Sequence, residues 1–266
     1  PADIRHLKEI VSDFELDVTV LPDYSDRLDN PAWDEYRVIS DGGTPIEAIR
    51  GMSHAAATLE LVSTFDEKLA AGPYLNSQFG VKNHRIGLPI GVLATDQLMD
   101  TLEEISGNPT PDKYIQQRGR LIDSMVDAHK YVFGKRAIVF GEEDLVVGLA
   151  SLLAEIGVIP VLCASGGESG RMAEVLEELI PDVMPEVTVM PGVDFEQIEA
   201  AAEEIGADLI IGNSKGYKMA RRMNVPLIRI GFPIHDRIGG QRVEHVGYRG
   251  AQSLFDRIAN AVLEKK

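Results

Sequence analysis

The 266-residue sequence predicts an α/β protein made of two Rossmann-like, doubly wound parallel-sheet domains. Short apolar runs alternate with helical stretches along most of the chain, which is typical of parallel strands joined by helical crossovers. A hydrophobic content of 44%, beside 26% charged residues, is enough to form a core in each domain. The breaker cluster GNPTP at 107–111 marks the boundary. We therefore predict one domain at 1–110 and another, with a linking helix, at 111–266.

The first domain is predicted to open with a helix at 3–14, followed by a β-rich run at 16–22 and a polar loop at 23–31. Thr44 and Pro45 suit the N-cap and the first position of a short helix. The remaining strands are expected at 58–62 and 84–91. The remaining helices are expected at 65–79 and 95–106.

A crossover that opens on a helix lacks its first strand, because a parallel unit runs from strand to helix to strand. The chain also begins with Pro1 rather than Met. We therefore expect a fragment of a longer protein, with an N-terminal portion outside it.

The second domain shows a more regular alternation. It opens with a long helix at 112–133, and a closing helix begins near Tyr248. Strands are predicted at 136–140, 158–164, 187–190, 208–211 and 226–230. The helices between them are predicted at 142–156, 168–180, 194–205 and 214–223.

Charge and composition exclude several function classes. The net charge of −16 and the pI near 4.8 would repel a polyphosphate backbone, so no nucleic-acid partner is expected. No apolar run approaches the ~20 residues that cross a bilayer, and no leader opens the chain, so we expect no membrane partner and a cytoplasmic location. The lone Cys163 excludes an internal disulfide and a self-sufficient iron–sulfur cluster.

Ligands of a doubly wound sheet collect at the carboxyl ends of its strands. The turn GEED at 141–144 is acidic where a dinucleotide would need glycines, which disfavours nucleotide binding. The loop SGGESG at 165–170 could present amides to an anion, although a plain turn is the simpler interpretation. Cys163 lies inside an apolar strand, which favours a buried, inert thiol.

Two carboxylates of the long helix attract more interest. Asp123 and Asp127 stand one turn apart on one helix face, where like charges repel unless a cation or an arginine bridges them. Ion pairing with Arg118 and Arg120 is one interpretation. The other is a site for a hard cation such as calcium, which prefers oxygen ligands.

Several spaced motifs, taken together, resemble one family. These are RGRLIDSMVDAHKYVFGKRAIVFGEEDLVVGLASLLAEIG at 118–157, IGNSKG at 211–216, VPLIRIGFPIHDR at 225–237 and VGYRG at 246–250, with LPDYSDRLD, DGGTPIEAIR, LPIGVLATDQLM and ISGNPTP before them in the same order. The chain resembles, over essentially its whole length, the C-terminal portion of a β-type subunit of the nitrogenase component 1 family.

The resemblance implies the last two of three Rossmann-like domains. It implies pairing with an α-type subunit in a heterotetramer that receives electrons from the iron protein of nitrogenase. The iron–sulfur cluster, and the iron–molybdenum cofactor or its precursor, would belong to the full complex and not to this chain alone. No catalytic residue and no cofactor ligand is expected here.

Two assemblies of the family use such β chains: the scaffold on which the iron–molybdenum cofactor is matured, and dinitrogenase. Dinitrogenase β chains resemble one another in a His-rich run after FPxxDR, where this chain reads RIGGQR at 237–242. The resemblance thus favours the scaffold, with the dinitrogenase β chain as the alternative. It also implies that Asp123 and Asp127 help to bind a cation between two β chains, with the other ligands supplied by a neighbouring chain.

Two other classes stay open on the residues alone. A two-domain sugar-nucleotide enzyme would have a similar outline, and so would a periplasmic-type binding module. The arginines and histidines of the segment 232–250 are expected to serve packing and subunit contacts rather than catalysis, with a solvated loop as the alternative.

Overall fold

The computed structural model describes residues 2–27, 29–36, 38 and 42–265. Leu28, which belongs to the expected polar loop at 23–31, and the N-terminal Pro1 lie outside the described residues. The fold is α/β, as predicted. The helices are α1 (Ala2–Asp13), α2 (Ile46–Gly51), α3 (Ala71–Phe79), α4 (Val92–Ser106), α5 (Asp112–Val132), α6 (Glu143–Glu155), α7 (Met172–Leu179), α8 (Phe195–Ile205), α9 (Tyr217–Met223) and α10 (Gly247–Leu263). The strands are β1 (Ala57–Leu61), β2 (Lys82–Ile86), β3 (Arg136–Phe140), β4 (Ile159–Ala164), β5 (Thr188–Met190), β6 (Leu209–Gly212) and β7 (Leu227–Arg229).

The second half of the chain forms a five-stranded parallel sheet in the order β5-β4-β3-β6-β7. The chain winds outward from β3 to one edge, then crosses back and winds to the other, so the order reverses between β3 and β6. The central strands are almost wholly apolar and buried, as parallel strands covered on both faces must be. Each predicted strand of this half is present, within a residue or two at its ends.

The first half contains a two-stranded parallel sheet, in which Ala57 lies opposite Lys82 and Leu61 opposite Ile86. The strand predicted at 84–91 ends early, because Gly87 and Pro89 follow and proline cannot donate to a ladder. The helix predicted at 65–79 is confined to α3, with a short 3₁₀ turn at Glu67–Leu69 before it.

The prediction of a strand at 16–22 is wrong for this structure. Residues 16–20 have no regular secondary structure, and Asp17, Val18 and Thr19 are exposed. A β-rich sequence needs a neighbouring strand to satisfy its ladder. None of the described strands pairs with this segment.

The predicted N-cap at Thr44 is also wrong. Helix α2 begins one residue later than expected, with Pro45 at the N-cap position and no side-chain cap. The Thr44 hydroxyl instead donates to the Val20 carbonyl at 2.5 Å and accepts from the Asp23 amide at 3.0 Å. The Thr44 hydroxyl, which the local sequence pattern assigned to the helix N-cap, therefore forms its hydrogen bonds with residues distant in the sequence.

Among the residues that the structure describes, three hydrophobic clusters hold the fold together. Two cover the faces of the five-stranded sheet, and the third joins α1, α4 and α5 to the start of α10 through Ile10, Leu98, Leu121 and Tyr248. Helix α10 thus contributes to the core of each half. No helix in the described part of the chain combines the length and the apolar character that a membrane span needs.

Candidate functional site

A cavity of about 1570 Å³ lies between the two halves of the molecule. One wall is formed by the carboxyl ends of the parallel strands, including Phe140, Ser165 and Asn213. The opposite wall is formed by α1, by the irregular segment 16–22 and by β1. Because β3 and β6 flank the reversal of strand order, this is where an α/β sheet places its ligands.

Polar groups at the strand ends serve the fold. The Asn213 side chain accepts from the Lys215 amide at 3.1 Å and donates to the Phe232 carbonyl at 3.1 Å. Ser165 Oγ accepts from the Gly167 amide at 3.0 Å. These contacts cap turns and leave the cavity walls mainly apolar, with Leu59 and Ile230 among them.

The acidic turn after β3 binds backbone amides. Asp144 Oδ1 accepts from the amides of Ser63 at 2.5 Å and Thr64 at 2.9 Å, in the segment that follows β1. The buried Glu143 accepts from the Ser169 amide at 3.1 Å. Asp144 thus connects the two halves of the molecule, whereas the Glu143 bond lies within the second half. Two carboxylates at the start of α6 take the place that a pyrophosphate would need, which supports the prediction against a nucleotide site.

The loop at 165–170 has the geometry of a plain turn. The Gly167 amide donates to Ser165 Oγ and the Ser169 amide to Glu143. The Ser169 hydroxyl accepts from the amide of Arg171, just after the loop, at 3.1 Å. A Cβ on Gly167 would lie 3.2 Å from Cγ of Glu143. A carboxylate packed against the loop disfavours an anion there.

Asp123 and Asp127 are both exposed on α5, four residues apart. Neither makes a hydrogen bond or an ion pair within the described residues, so the expected pairing with arginine is not formed. Arg118 instead binds Asp96 through Nε and Nη2 at 2.8 Å, and Arg120 donates to Gln116 at 3.3 Å. Across the part of the chain that is described, no three acidic, His or Cys side chains converge as a metal site. The two carboxylates could therefore supply only part of a coordination shell.

Cys163 lies in β4, and burial raises the pKa of its thiol to about 12. Its sulfur lies 3.9 Å from the Pro160 carbonyl oxygen. A thiol that remains protonated in an apolar core is a poor nucleophile and a poor ligand. The prediction of a buried, inert cysteine is in accord with this geometry.

The segment 232–250 is anchored at its end by Asp3 of α1. His245 donates its backbone amide to Asp3 Oδ1 at 2.6 Å, and its ring Nδ1 lies 2.9 Å from Oδ2. Burial opposes ionisation of Asp3, but the bonds from His245 and Val246 outweigh it and lower the pKa of the carboxyl. The ring Nε2 of His245 is buried, and Asp3 and His245 both lie in the wall of the interdomain cavity, where this pair holds the chain in place.

A second anchor, missed by sequence reasoning, lies at the start of the same segment. Asp236 accepts from Arg229 Nε and Nη2 at 2.9 and 2.6 Å, and from the Ser214 hydroxyl. The Arg229 guanidinium holds the pKa of the Asp236 carboxyl well below its usual range. Arg229 ends β7 and Asp236 lies in the irregular loop after it, so no local period indicated the pair.

The sequence matches the family described as Nitrogenase component 1 type Oxidoreductase over residues 1–263. It is 33% identical to the nitrogenase molybdenum-iron protein beta chain of Methanothermobacter marburgensis, over 100% of this chain and 58% of that one. It is 34% identical to the nitrogenase vanadium-iron protein beta chain of Trichormus variabilis, over 98% of this chain and 58% of the relative.

It is also 33% identical to the nitrogenase iron-molybdenum cofactor biosynthesis protein NifN of Bradyrhizobium diazoefficiens, over 99% of this chain and 53% of that protein. A solved structure described as Nitrogenase Cp1 at pH 6.5 superposes with a TM-score of 0.93 at 32% identity, over 100% of this chain and 58% of that chain. The chain thus spans 53 to 58% of the length of these relatives.

Proposed function

The chain belongs to the nitrogenase component 1 type oxidoreductase family, and from that premise we propose that it is part of the β-type subunit of a scaffold for iron–molybdenum cofactor assembly in nitrogen fixation. Its relatives include beta chains of nitrogenase and the cofactor biosynthesis protein NifN, each aligned over nearly all of this chain. The family membership and the acidic turn at 141–144 together disfavour a sugar-nucleotide enzyme.

The observation that carries the scaffold assignment is the run RIGGQR at 237–242, in the place where dinitrogenase β chains resemble one another in a His-rich run. Here the chain makes a tight turn at Gly239, with φ of 84°, and a single 3₁₀ turn at Gly240–Arg242. Arg242 reaches Asp29 at 3.4 Å, while Ile238 is 97% exposed. Arginine and glycine therefore take the places where histidines would be expected in dinitrogenase.

A second candidate function is the β chain of dinitrogenase. It is favoured by the names of several relatives, including those of Methanothermobacter marburgensis and Clostridium pasteurianum, each 33% identical to this chain.

Genetic complementation separates the two functions. The gene that encodes this chain would be expressed in two nitrogen-fixing hosts, one lacking its scaffold β-type subunit and the other lacking its dinitrogenase β chain. We expect growth on dinitrogen to be restored in the first host alone, provided that the cognate α-type subunit is supplied. Restoration in the second host alone would assign the chain to dinitrogenase.

The partners we propose are an α-type subunit, in a heterotetramer, and the iron protein. The donors of this chain do not fit an iron–sulfur cluster, because Cys163 is buried in an apolar strand and its thiol is held protonated. We therefore assign any cluster, and the cofactor or its precursor, to other parts of the complex, and derive no step of its chemistry from these residues.

Asp123 and Asp127 are proposed to bind a hard cation at the contact of two β chains. Their carboxylates are exposed, one turn apart and unpaired within the described residues, which suits a half-shell that a second chain would complete. The apolar residues Ile122 and Val126 lie exposed beside them on the helix, 36% and 71% respectively, as an interface helix requires. A single chain should bind the ion weakly.

A further inference from the structure

A small pocket of about 230 Å³ lies beneath the segment 232–250. Strand β7, the loop after it and helix α10 form its walls. Three arginines line it: Arg229, Arg237 and Arg257. Among the described residues that line the pocket there is no carboxylate. Such a concentration of positive charge is unusual in a chain with a net charge of −16.

Arg229 is already satisfied. Its Nε and Nη2 bind the Asp236 carboxylate at 2.9 and 2.6 Å, and its Nη1 donates to the Leu227 carbonyl at 3.2 Å. Its side chain is only 11% exposed. Asp236 in turn also accepts from Ser214 and forms an ion pair with Arg237 at 3.6 Å, but it makes no contact with Arg257.

Arg257 is not satisfied. Its Nη2 donates to the Arg229 carbonyl at 3.0 Å, but its Nη1 is buried and has no hydrogen-bond partner in the described part of the chain. Burial first, and the charge of Arg229 second, lower the pKa of this guanidinium. A buried cationic donor without an acceptor is costly, and an anion in the pocket would remove that cost.

Arg237 completes the set from the exposed side. Its Nη1 donates to the Asp236 carbonyl at 2.6 Å, while the side chain is 57% exposed. The planar fork of a guanidinium matches the geometry of phosphate and carboxylate oxygens. The pocket volume, at about 30 Å³ for each water in the liquid, holds one small oxyanion with several waters.

We propose that this pocket binds a small oxyanion of phosphate or sulfate size, held by Arg257 from within and Arg237 from the rim. The site adjoins the interdomain cavity, with which it shares Ile234, Gly240 and Val243, but none of its three arginines lines that cavity. The site gives the segment 232–250 a role in anion binding, in addition to its packing and to the proposed scaffold function. The proposal is independent of the proposed function, since a dinitrogenase β chain could carry the same pocket.

The test uses inorganic phosphate as the probe. Titration followed by ³¹P line broadening and by calorimetry, at constant ionic strength against chloride, should show saturable binding by the unaltered chain. Arg257→Gln should weaken it by about tenfold or more, equivalent to roughly 1.4 kcal/mol. Arg237→Gln should weaken it less, because this side chain contributes from the solvent side. Arg120→Gln, at an exposed arginine of α5, should leave the affinity unchanged.

Phosphate also stabilises folded proteins without binding, by exclusion from their surfaces. The comparison between variants separates the two effects, because exclusion acts equally on Arg257→Gln and Arg120→Gln. Binding that persists undiminished in Arg257→Gln, or the absence of saturable binding by the unaltered chain, would overturn the proposal. Since Arg237 is exposed, its variant keeps the test valid should the Arg257 variant fold poorly.

Discussion

At the scale of single residues, carboxylates act as connectors between distant parts of this acidic chain. Asp3, Asp144 and Asp236 each accept hydrogen bonds from more than one donor. The burial of Cys163 could be predicted, because it lies in a run of apolar residues. The partners of the three aspartates could not, because the donors to Asp3 and Asp144 are 80 to 243 residues away and composition carries no distance information.

Asp23 gives a pH-dependent contribution to stability. It accepts from Lys8 Nζ at 2.5 Å and from Ser25. Burial opposes ionisation, but these bonds outweigh it and lower the pKa of Asp23 from 3.8 to about 2. A lowered pKa stabilises the folded state above the unfolded pKa, and this stabilisation is lost as the pH falls from about 4 to about 2.

We expect Asp23→Asn to lower the free energy of unfolding at pH 7 by about 1 to 2 kcal/mol, a value reduced for the solvent screening of Lys8. Urea unfolding at a series of pH values measures it. The variant should lose less stability on acidification than the unaltered chain does. Asp17→Asn, at an exposed site on the same segment, serves as the control and should follow the unaltered chain. Equal acid sensitivity of Asp23→Asn and the unaltered chain would contradict the assignment.

At the scale of elements, the regular alternation of the second half was predictable because buried parallel strands are continuous apolar runs with breakers between them. Strand β3 has the predicted bounds, Arg136–Phe140. The secondary structure of the first half was harder to predict from the sequence. The segment 16–22 has the composition of a strand, but no strand pairs with it in the described structure. Composition selects strand-forming residues, whereas pairing decides whether a strand forms.

Two glycine substitutions test the packing of these elements, because one is expected to lower the stability and the other to raise it. A Cβ on Gly212, at the end of β6, would lie 2.5 Å from the Phe140 ring, while one on Gly119 in α5 would meet nothing within 4 Å. We expect Gly212→Ala to destabilise by about 1 to 3 kcal/mol through overpacking. Gly119→Ala should stabilise by about 0.5 to 1 kcal/mol, because alanine favours a helix interior. Denaturant midpoints measure the change in stability for each variant. Changes in the same direction for the two variants would contradict this packing.

Helix α5 offers a test of the cation proposal. Without a divalent ion, Asp127→Asn should stabilise the protein by about 0.2 to 0.5 kcal/mol, because it removes a repulsion between like charges one turn apart. With millimolar Ca²⁺ at constant ionic strength, the melting temperature of the unaltered chain should rise, and that of Asp127→Asn should not. Asp112→Asn, at the start of the same helix, is the matched control. A calcium response that Asp127→Asn retains would count against these ligands.

At the scale of the whole molecule, helix α10 makes the two halves depend on each other. Its first turns place Tyr248 and Ala251 in the cluster with Ile10 and Leu98, and its later turns place Leu254 under the five-stranded sheet. The Tyr248 hydroxyl also donates to Asp96 at 2.6 Å, beside the Arg118 pair. The sequence predicted this helix, but its spacing could not show that one helix serves two cores.

This shared helix predicts coupled unfolding of the two halves. Leu254 is fully buried, so Leu254→Ala should destabilise by about 2 to 5 kcal/mol through lost burial and a residual cavity. Because α10 also belongs to the core of the first half, amide hydrogen exchange should accelerate in β2 as well as in β3 and β4, although Leu254 packs under the five-stranded sheet. Tyr248→Phe, which keeps the ring and removes the bond to Asp96, should give a smaller effect with the same distribution. Faster exchange in β3 and β4 with unchanged protection in β2 would show instead that the halves unfold independently and that α10 adheres to the first half without stabilising it.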